Sequence, residues 1–151
     1  MLRRSAGNLR ERKPNFVFNA VLPDTVFGQI PSPEYPGIPS TAGLVKMLFE
    51  GTGLDVLQWI QPQYHSDFAD VGRLHTAALI HPAAVNERLP GHADHGDWND
   101  ILSIFRMWFP DRTLPDDMRP GRDISTVEDG RSRKLLKDVH AQDQWVPREA
   151  I

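Results

Sequence analysis

The sequence predicts an α/β fold in which helices dominate and strands are few. One observation behind this prediction is a short apolar run over residues 15–22, rich in β-branched and aromatic side chains and followed by Pro23. Such a run indicates a buried strand of a parallel sheet. The other observation is that apolar residues recur at helical spacing in several later stretches, most clearly after Asp97.

The remaining elements follow from caps, chain breakers and apolar spacing. Prolines crowd residues 29–39, which predicts an ordered surface loop. Four helices are predicted, over residues 40–49, 71–80, 98–109 and 126–139. Their predicted caps are Ser40, Asp70, Asp97 and a capping box at residues 125–128. Further extended segments are predicted over residues 56–60, 64–68 and 86–92.

Composition narrows the class of protein. At 151 residues and a net charge of −3, the chain fits a single domain, residues 1–151, without the basic field that a nucleic-acid partner would need. The absence of cysteine excludes disulfides and thiolate zinc sites. No apolar stretch is long enough to cross a bilayer, so we expect no membrane partner and a soluble, cytoplasmic protein.

The predicted strand and the segments after it carry a family pattern. Pro23 and Phe27-Gly28 form a strand-then-Pro-x-x-x-Phe-Gly segment, and further motifs follow at residues 67–75, 86–88, 97–102, 121–127 and 131–136. This series resembles the extended short-chain dehydrogenases/reductases, in the branch of NAD-dependent epimerases/dehydratases related to dihydroflavonol and cinnamoyl-CoA reductases. The resemblance implies the C-terminal part of a Rossmann-type reductase, namely the last sheet strands and the small substrate-binding domain.

The same resemblance shows what the sequence lacks. The family uses a Gly-x-x-Gly-x-x-Gly turn for the cofactor pyrophosphate and a Tyr-x-x-x-Lys pair for proton transfer. Neither is present: Tyr35 and Tyr64 have no lysine four residues later, and by the family's spacing both features would fall before Met1. Full-length relatives use NADP or NAD, and the resemblance places Pro23 beside the nicotinamide. We therefore expect this chain alone to bind no cofactor.

Three functions remain open at this point. The first is the substrate-binding portion of an NAD(P)-dependent carbonyl reductase-like protein that is not competent for hydride transfer alone. The second is a repurposed, cofactor-independent isomerase, cyclase or lyase acting on a small molecule. The third is a non-catalytic pseudoenzyme that pairs with a complete relative.

Two groups of polar residues are candidates for a site. His65 and Asp67 could form an acid/base pair, because an imidazole near a carboxylate titrates close to neutral pH, although Asp67 could instead hold a loop. Asp24 and Thr25 follow the first strand, where open α/β sheets place their ligands, and His95 could face the same substrate pocket.

Other conspicuous residues have structural interpretations. His92 and His95 are too few to predict a metal site, so we predict none. His75 is expected to be a partly buried histidine on the apolar stripe of its helix, and Arg131 and Arg133 are expected to be solvated. The helical spacing assigns five large side chains to the core: Trp98, Phe105, Met107, Trp108 and Phe109.

The first strand also predicts an assembly. In the family's fold it is an inner strand, so without its neighbours it would expose an open, apolar edge. No lysine or proline inside residues 15–22 blocks that edge. We therefore expect a homo-oligomer, or a partner that covers the edge.

Overall fold

The protein is described by a computed structural model that covers residues 15–29, 37–38 and 40–148. Its elements in chain order are β1 (Ala20–Pro23), β2 (Thr25–Phe27), α1 (Ser40–Glu50), α2 (Leu54–Trp59), β3 (Gln63–Asp67), α3 (Phe68–Ile80), β4 (Arg88–Gly91), β5 (Asp94–Gly96), α4 (Trp98–Trp108) and α5 (Gly130–His140). Helices dominate and the strands are short, so the predicted α/β class is confirmed. Most of the predicted proline-rich loop and the first fourteen positions lie outside the described residues.

The strands form two small sheets. In one, β1 pairs in parallel with β4, so that Ala20 lies opposite Arg88 and Pro23 opposite Gly91. In the other, β3 is central, with β2 parallel on one side and β5 antiparallel on the other. The two sheets are linked by the buried Ser66 hydroxyl of β3, which donates to the Gly91 carbonyl of β4.

Each sheet lies against its own apolar core. The first core packs under the β1–β4 pair and consists of buried residues of α3, α5 and the segment between them: Leu74, Ala77, Ala78, Ala84, Leu89, Leu135 and Leu136. The second core lies between α1, α2 and α4 and consists of Leu48, Leu57, Leu102 and Met118. Whether residues 1–151 form a single domain stays a prediction.

The first strand is shorter and more exposed than expected. Strand β1 begins at Ala20, whereas Phe16, Val17 and Phe18 before it are 58%, 54% and 42% exposed. Among the described residues, β4 is the strand that pairs with this segment, and the Phe18 N–H donates to Asn86 Oδ1 at 3.1 Å just before β4 begins. The predicted burial of residues 15–22 is therefore wrong: residues 15–18 are exposed and residues 19–22 are only half-buried, although a strand does begin at Ala20.

Residues 56–60, predicted as extended, lie mainly in helix α2. The aromatic and β-branched residues there suggested a strand, but Leu57 is buried while Val56 and Trp59 are 50% and 85% exposed. Leu54 and Ile60, three residues to either side of Leu57, also pack against the second core. A spacing of three residues is helical. In so short a segment this pattern of burial, and not residue propensity, determines that a helix forms.

Helix starts were predicted with mixed success. Asp97 caps α4, as expected, and the structure adds a capping box with Asp100 that was not predicted. Helix α3 is capped by Asp67, whose Oδ1 accepts the Ala69 N–H at 2.8 Å, so the assignment of Asp70 as the cap is wrong. Helix α5 begins at Gly130, so the predicted capping box at residues 125–128 is wrong; there the Ser125 N–H donates to Asp123 Oδ1 in the segment before the helix.

The end of α4 is less buried than its apolar spacing implied. Trp98 and Phe105 pack against the second core, as predicted. Met107, Trp108 and Phe109 are 62%, 57% and 44% exposed, so their assignment to the core is wrong. The helix runs past the edge of the second core, and a helical stripe cannot reveal where its packing partner ends. None of the helices in the described part of the chain is long and apolar enough to span a membrane.

Candidate functional site

The β2–β3–β5 sheet collects polar side chains on one face. Thr25 of β2 lies opposite His65 of β3, so their side chains project from the same face, and Gln63 shares it because it lies two residues before His65. Phe27 completes the row on β2, with its ring centroid 5.9 Å from that of His65. These four residues line a cavity that α2 and α4 close from above, named here the sheet cavity.

His65 is the buried titratable group of the sheet cavity. Its side chain is only 5% exposed, and its Nε2 has no hydrogen-bond partner among residues 15–29, 37–38 and 40–148. Burial lowers the pKa of His65 below its ordinary value, and the positive charge of Arg148 lowers it further. Asp94 and the Gln63 carbonyl act in the opposite direction without reversing the shift. The imidazole is therefore neutral at neutral pH.

Asp67 lies on the same strand face as His65, but its carboxylate caps helix α3. Its Oδ1 accepts the N–H groups of Ala69 and Asp70 at 2.8 and 3.3 Å. Its Oδ2 faces Gly28, where an added Cβ would lie 2.6 Å from that oxygen and where φ is +132°. Glycine is thus required after Phe27 by this close approach. An acid/base role for the His65–Asp67 pair stays a prediction.

The three predicted pocket residues do not converge on one point. Thr25 is buried in the sheet cavity and donates from Oγ1 to Gln63 Oε1 at 2.5 Å. Asp24 is exposed, and its Oδ2 accepts the Tyr64 N–H at 3.1 Å. His95 lies opposite Tyr64 in the sheet, so it projects from the face away from His65. Their role in substrate binding stays a prediction.

His95 belongs to a polar cluster on that other face. Its Nε2 accepts from Arg122 Nε at 2.8 Å, and its ring lies 5.6 Å from that of Tyr64. Asp94, in contrast, lies opposite His65 and projects from the His65 face. It forms an ion pair with Arg148 at 2.7 Å; Arg148, whose side chain is 13% exposed, also binds the His95 carbonyl and pairs with Asp100 at 2.9 Å. Within the described ranges, no three histidine, aspartate or glutamate side chains are grouped as metal ligands would be.

Two residues outside these clusters differ from their expected roles. His75 is exposed, with Nδ1 2.8 Å from the Val71 carbonyl, so its placement on the apolar stripe is wrong. Arg131 is not free in solvent, because it forms an ion pair with Glu87 and donates to the Ala83 carbonyl, both at 2.8 Å. The side-chain hydrogen bond with Glu87 also raises the pKa of Arg131. Arg133 is exposed, as expected, and bonded to Asp129.

Sequence reasoning missed Gln63 and misjudged Asp70. The strand alternation that links Gln63 with His65 could have found Gln63. Asp70 is fully buried, and its Oδ2 accepts the Val146 N–H at 2.7 Å while its Oδ1 accepts from Gln142 Nε2 at 2.7 Å. No local sequence signal indicates these bonds, since they span more than seventy positions.

Besides the sheet cavity and the polar cluster at His95, the structure has an apolar groove beside β1, named here the β1 groove. It has a volume of about 610 Å³ and follows β1 and the end of α3. Its exposed apolar walls are Val17, Phe18, Leu79, Ile80 and Val85. Pro23 ends β1 and is exposed, whereas its partner Gly91 at the end of β4 is buried.

Comparison with known sequences identifies partial relatives. The chain is 37% identical to aldehyde reductase 2 of Sporidiobolus salmonicolor, in a match that covers 85% of this chain and 38% of that protein. It is 31% identical to ketoreductase adrE of Penicillium rubens, covering 93% and 42%. It is 36% identical to the NAD-dependent epimerase/dehydratase tndE of Aspergillus flavipes, covering 85% and 34%. The chain thus spans about two fifths of the length of these relatives. No family model matches it.

Solved structures agree on the fold. A reductase engineered to attenuate substrate inhibition in asymmetric catalysis superposes with a TM-score of 0.71 at 22% identity, covering 97% of this chain and 45% of that one. Gre2 of Candida albicans in complex with NADPH gives a TM-score of 0.70 at 18% identity, covering 97% and 45%. The Rossmann-type reductase fold implied by the sequence is thereby confirmed, over about half of each structure.

Proposed function

We propose that this chain is the substrate-binding portion of an NAD(P)-dependent carbonyl reductase. The chain belongs to the short-chain dehydrogenase/reductase family and matches the C-terminal part of its aldehyde- and ketoreductase members. By itself it is not competent for hydride transfer, because its sequence holds neither the glycine-rich turn nor the Tyr-x-x-x-Lys pair. The nucleotide-binding portion of the fold supplies both.

The observation that carries this proposal is the β1 groove. Strand β1 is bonded to β4 on one side, and within the described residues no strand pairs with its other side. Exposed strand edges next to contiguous apolar surface mark places where another element pairs and packs. Leu79 is 84% exposed and Ile80 60%, which is costly for large aliphatic side chains in water. A strand and helix of the nucleotide-binding portion would cover both the edge and the groove.

The requirements of cofactor binding agree with a separate nucleotide-binding portion. A pyrophosphate needs several backbone N–H donors at a helix N-terminus, and the end of β1 offers Pro23, which has no N–H, followed by the acidic Asp24. This chain therefore contributes Pro23 as a wall and leaves phosphate binding to the other portion. NAD(P)H, when bound there, supplies the hydride for reduction of a small carbonyl substrate.

Complementation tests this function. The nucleotide-binding portion of an aldehyde reductase of the family, produced as a separate polypeptide, is mixed with this chain, and NADPH oxidation is followed with aldehyde and ketone substrates. We expect turnover only when both polypeptides are present. The variant Leu79→Asp should abolish turnover and complex formation, because it places a charge in the groove. Ile124→Asp is the matched control, since Ile124 is 93% exposed and does not line the β1 groove.

Three outcomes would overturn the proposal. Reduction by this chain alone would mean that it holds a complete site. A stable complex without turnover would make it a non-catalytic partner. Light scattering of the isolated chain that shows a homo-oligomer dissociated by Leu79→Asp, with no uptake of the nucleotide-binding portion, would assign the groove to a second copy.

A second candidate function rests on His65. A neutral, buried imidazole without an Nε2 partner is suited to act as a general base on a small molecule without a cofactor. This isomerase- or lyase-type activity would appear as deuterium exchange next to the carbonyl of a small ketone, catalysed by this chain alone. Loss of that exchange in His65→Gln, but not in the exposed His75→Gln, would support it.

A further inference from the structure

We infer that His95 and Arg122 form a pH-sensitive latch, in which protonation of His95 breaks its hydrogen bond with Arg122 and frees residues 122–124 from the β2–β3–β5 sheet. The inference goes beyond the proposed function, because the latch lies on the sheet face away from His65. It requires neither NAD(P)H nor a partner in the β1 groove.

The hydrogen bond between the two side chains fixes the protonation state of His95. Arg122 Nε lies 2.8 Å from His95 Nε2. An arginine side chain has only N–H donors and keeps its proton, so His95 Nε2 is the acceptor and carries a lone pair. A protonated imidazole has hydrogen on both ring nitrogens and accepts nothing. The bond therefore exists only while His95 is neutral.

The charged donor distinguishes His95 from the other histidines. His75 and His140 lie against backbone carbonyls, and His81 accepts a backbone N–H. Among residues 15–29, 37–38 and 40–148, His95 is the histidine whose ring nitrogen accepts from the side chain of a cation. Its protonation therefore removes a hydrogen bond and also brings two positive charges into contact.

The surroundings of His95 allow both charge states. Its side chain is 29% exposed, so a proton can reach it from solvent, and Asp94 Oδ1 lies 3.7 Å from Nδ1, where it stabilises a protonated ring. The titratable and charged groups around the ring are Tyr64 of β3, His92 and Asp94 just before it in the chain, Arg122 and Asp123 of the segment after α4, and Arg148 of the C-terminal segment.

The segment that the latch holds is fixed at both ends by bonds that do not involve the His95 ring. The Gly121 N–H donates to Asp97 Oδ2, and the Tyr64 hydroxyl donates to the Ser125 carbonyl, both at 2.9 Å. Between these two points, the side-chain hydrogen bond that ties the described segment to the sheet is the one from Arg122. Loss of that bond therefore loosens residues 122–124 and leaves both ends in place.

The latch lies in the connection between the two cores. Residues 110–129 contain neither helix nor strand and join α4 of the second core to α5 of the first. Met118, near the middle of this connection, lines the sheet cavity and exchanges hydrogen bonds with Asn99 at 2.7 and 3.0 Å. Acidification therefore loosens the connection beyond Gly121 while the wall of the sheet cavity stays in place.

Nuclear magnetic resonance of the intact chain between about pH 8 and about pH 5, where histidine changes charge, tests the latch. At the higher pH, the Arg122 Nε proton should resonate downfield of the other arginine Nε protons, because it is bonded to an imidazole nitrogen. On acidification it should return to their range with the same midpoint as the His95 ring signal. Order parameters of the amides of residues 122–124 should fall from about 0.85 toward about 0.6, and those of Met118 and Gly121 should not change.

Variants identify the two partners. In His95→Gln the side-chain carbonyl accepts from Arg122 but does not titrate, so the Arg122 signal should stay downfield throughout. In Arg122→Gln no cation is expelled, so the amides of residues 122–124 should not respond to pH. His92→Gln is the matched control: His92 contacts Tyr64 in the same cluster but is not the acceptor of Arg122, so this variant should keep the response.

The unaltered chain decides the question even if a variant does not fold. Different midpoints for the Arg122 Nε proton and the His95 ring would overturn the inference. An Arg122 signal that lies among those of the other arginines at every pH would do the same, as would order parameters at residues 122–124 that do not depend on pH.

Discussion

The two small sheets of this protein differ in how completely they are covered. The β2–β3–β5 sheet is closed on one face by α2 and α4, so that Thr25 and His65 are buried around a small cavity. The β1–β4 pair has the first core on one side, but beside β1 it leaves the wide β1 groove with exposed apolar walls. The β2–β3–β5 sheet is thus covered within this chain, whereas the β1–β4 pair leaves large apolar side chains exposed beside β1.

Family membership gives this difference a physical reason. The relatives are more than twice as long as the matched segment. Residues 16–22 are apolar except Asn19, which is the pattern of a strand that is buried on both faces of a parallel sheet. The β2–β3–β5 sheet is covered on one face by helices of this same segment, α2 and α4.

The largest expected difference is in core truncation. Leu57→Ala should lower the free energy of unfolding by about 2–5 kcal/mol, because Leu57 is fully buried in the second core. Leu79→Ala removes the same atoms from the β1 groove and should change it by less than about 0.5 kcal/mol. Urea unfolding of the isolated chain measures both. Equal losses would mean that Leu79 is buried in solution, and so that the groove is already covered.

A smaller effect is expected at Asp70, the fully buried carboxylate in the first turn of α3. Asp70→Asn should lower the free energy of unfolding by about 1–3 kcal/mol, since the amide cannot accept from both Val146 and Gln142 as Asp70 does. Amide exchange at Val146 should become faster. Asp116→Asn, at an exposed position, is the control. Unchanged exchange at Val146 would show that the C-terminal segment is held by other contacts.

The smallest expected effect is a pH dependence of the free energy of unfolding that arises from His65 in the β2–β3–β5 sheet. Because burial lowers the pKa of His65 in the folded state, the unfolded chain binds its proton more readily. Stability should therefore fall as pH decreases through the ordinary histidine value of about 6.5 toward the lowered folded pKa, and this term should vanish above that range. His65→Gln should have a shallower decline of urea midpoint between about pH 7 and pH 5 than His75→Gln. Identical slopes would contradict a neutral, buried His65.

The sequence by itself determined the features that depend on near neighbours. The start of α4 at Asp97 is predictable because the cap and the first helical residues it bonds lie in one turn. The α/β class, the extended segment at β3 and the family motifs likewise follow from short patterns. The glycine at position 28 was recognised in a motif, although its cause, the approach to Asp67, lies in the tertiary structure.

Tertiary structure alone decided what is buried and which side chains meet. The sequence suggests a helix cap at Asp70 because its actual partners, Val146 and Gln142, lie more than seventy positions away. Likewise, the hydrogen bond between Thr25 and Gln63 joins residues that are 38 positions apart. Residues 56–60 became a helix because Leu57 faces a core that no local pattern reveals. Phe16 to Phe18 have the composition of a buried strand but are exposed, since burial depends on the neighbour that lies against a segment and not on the segment itself.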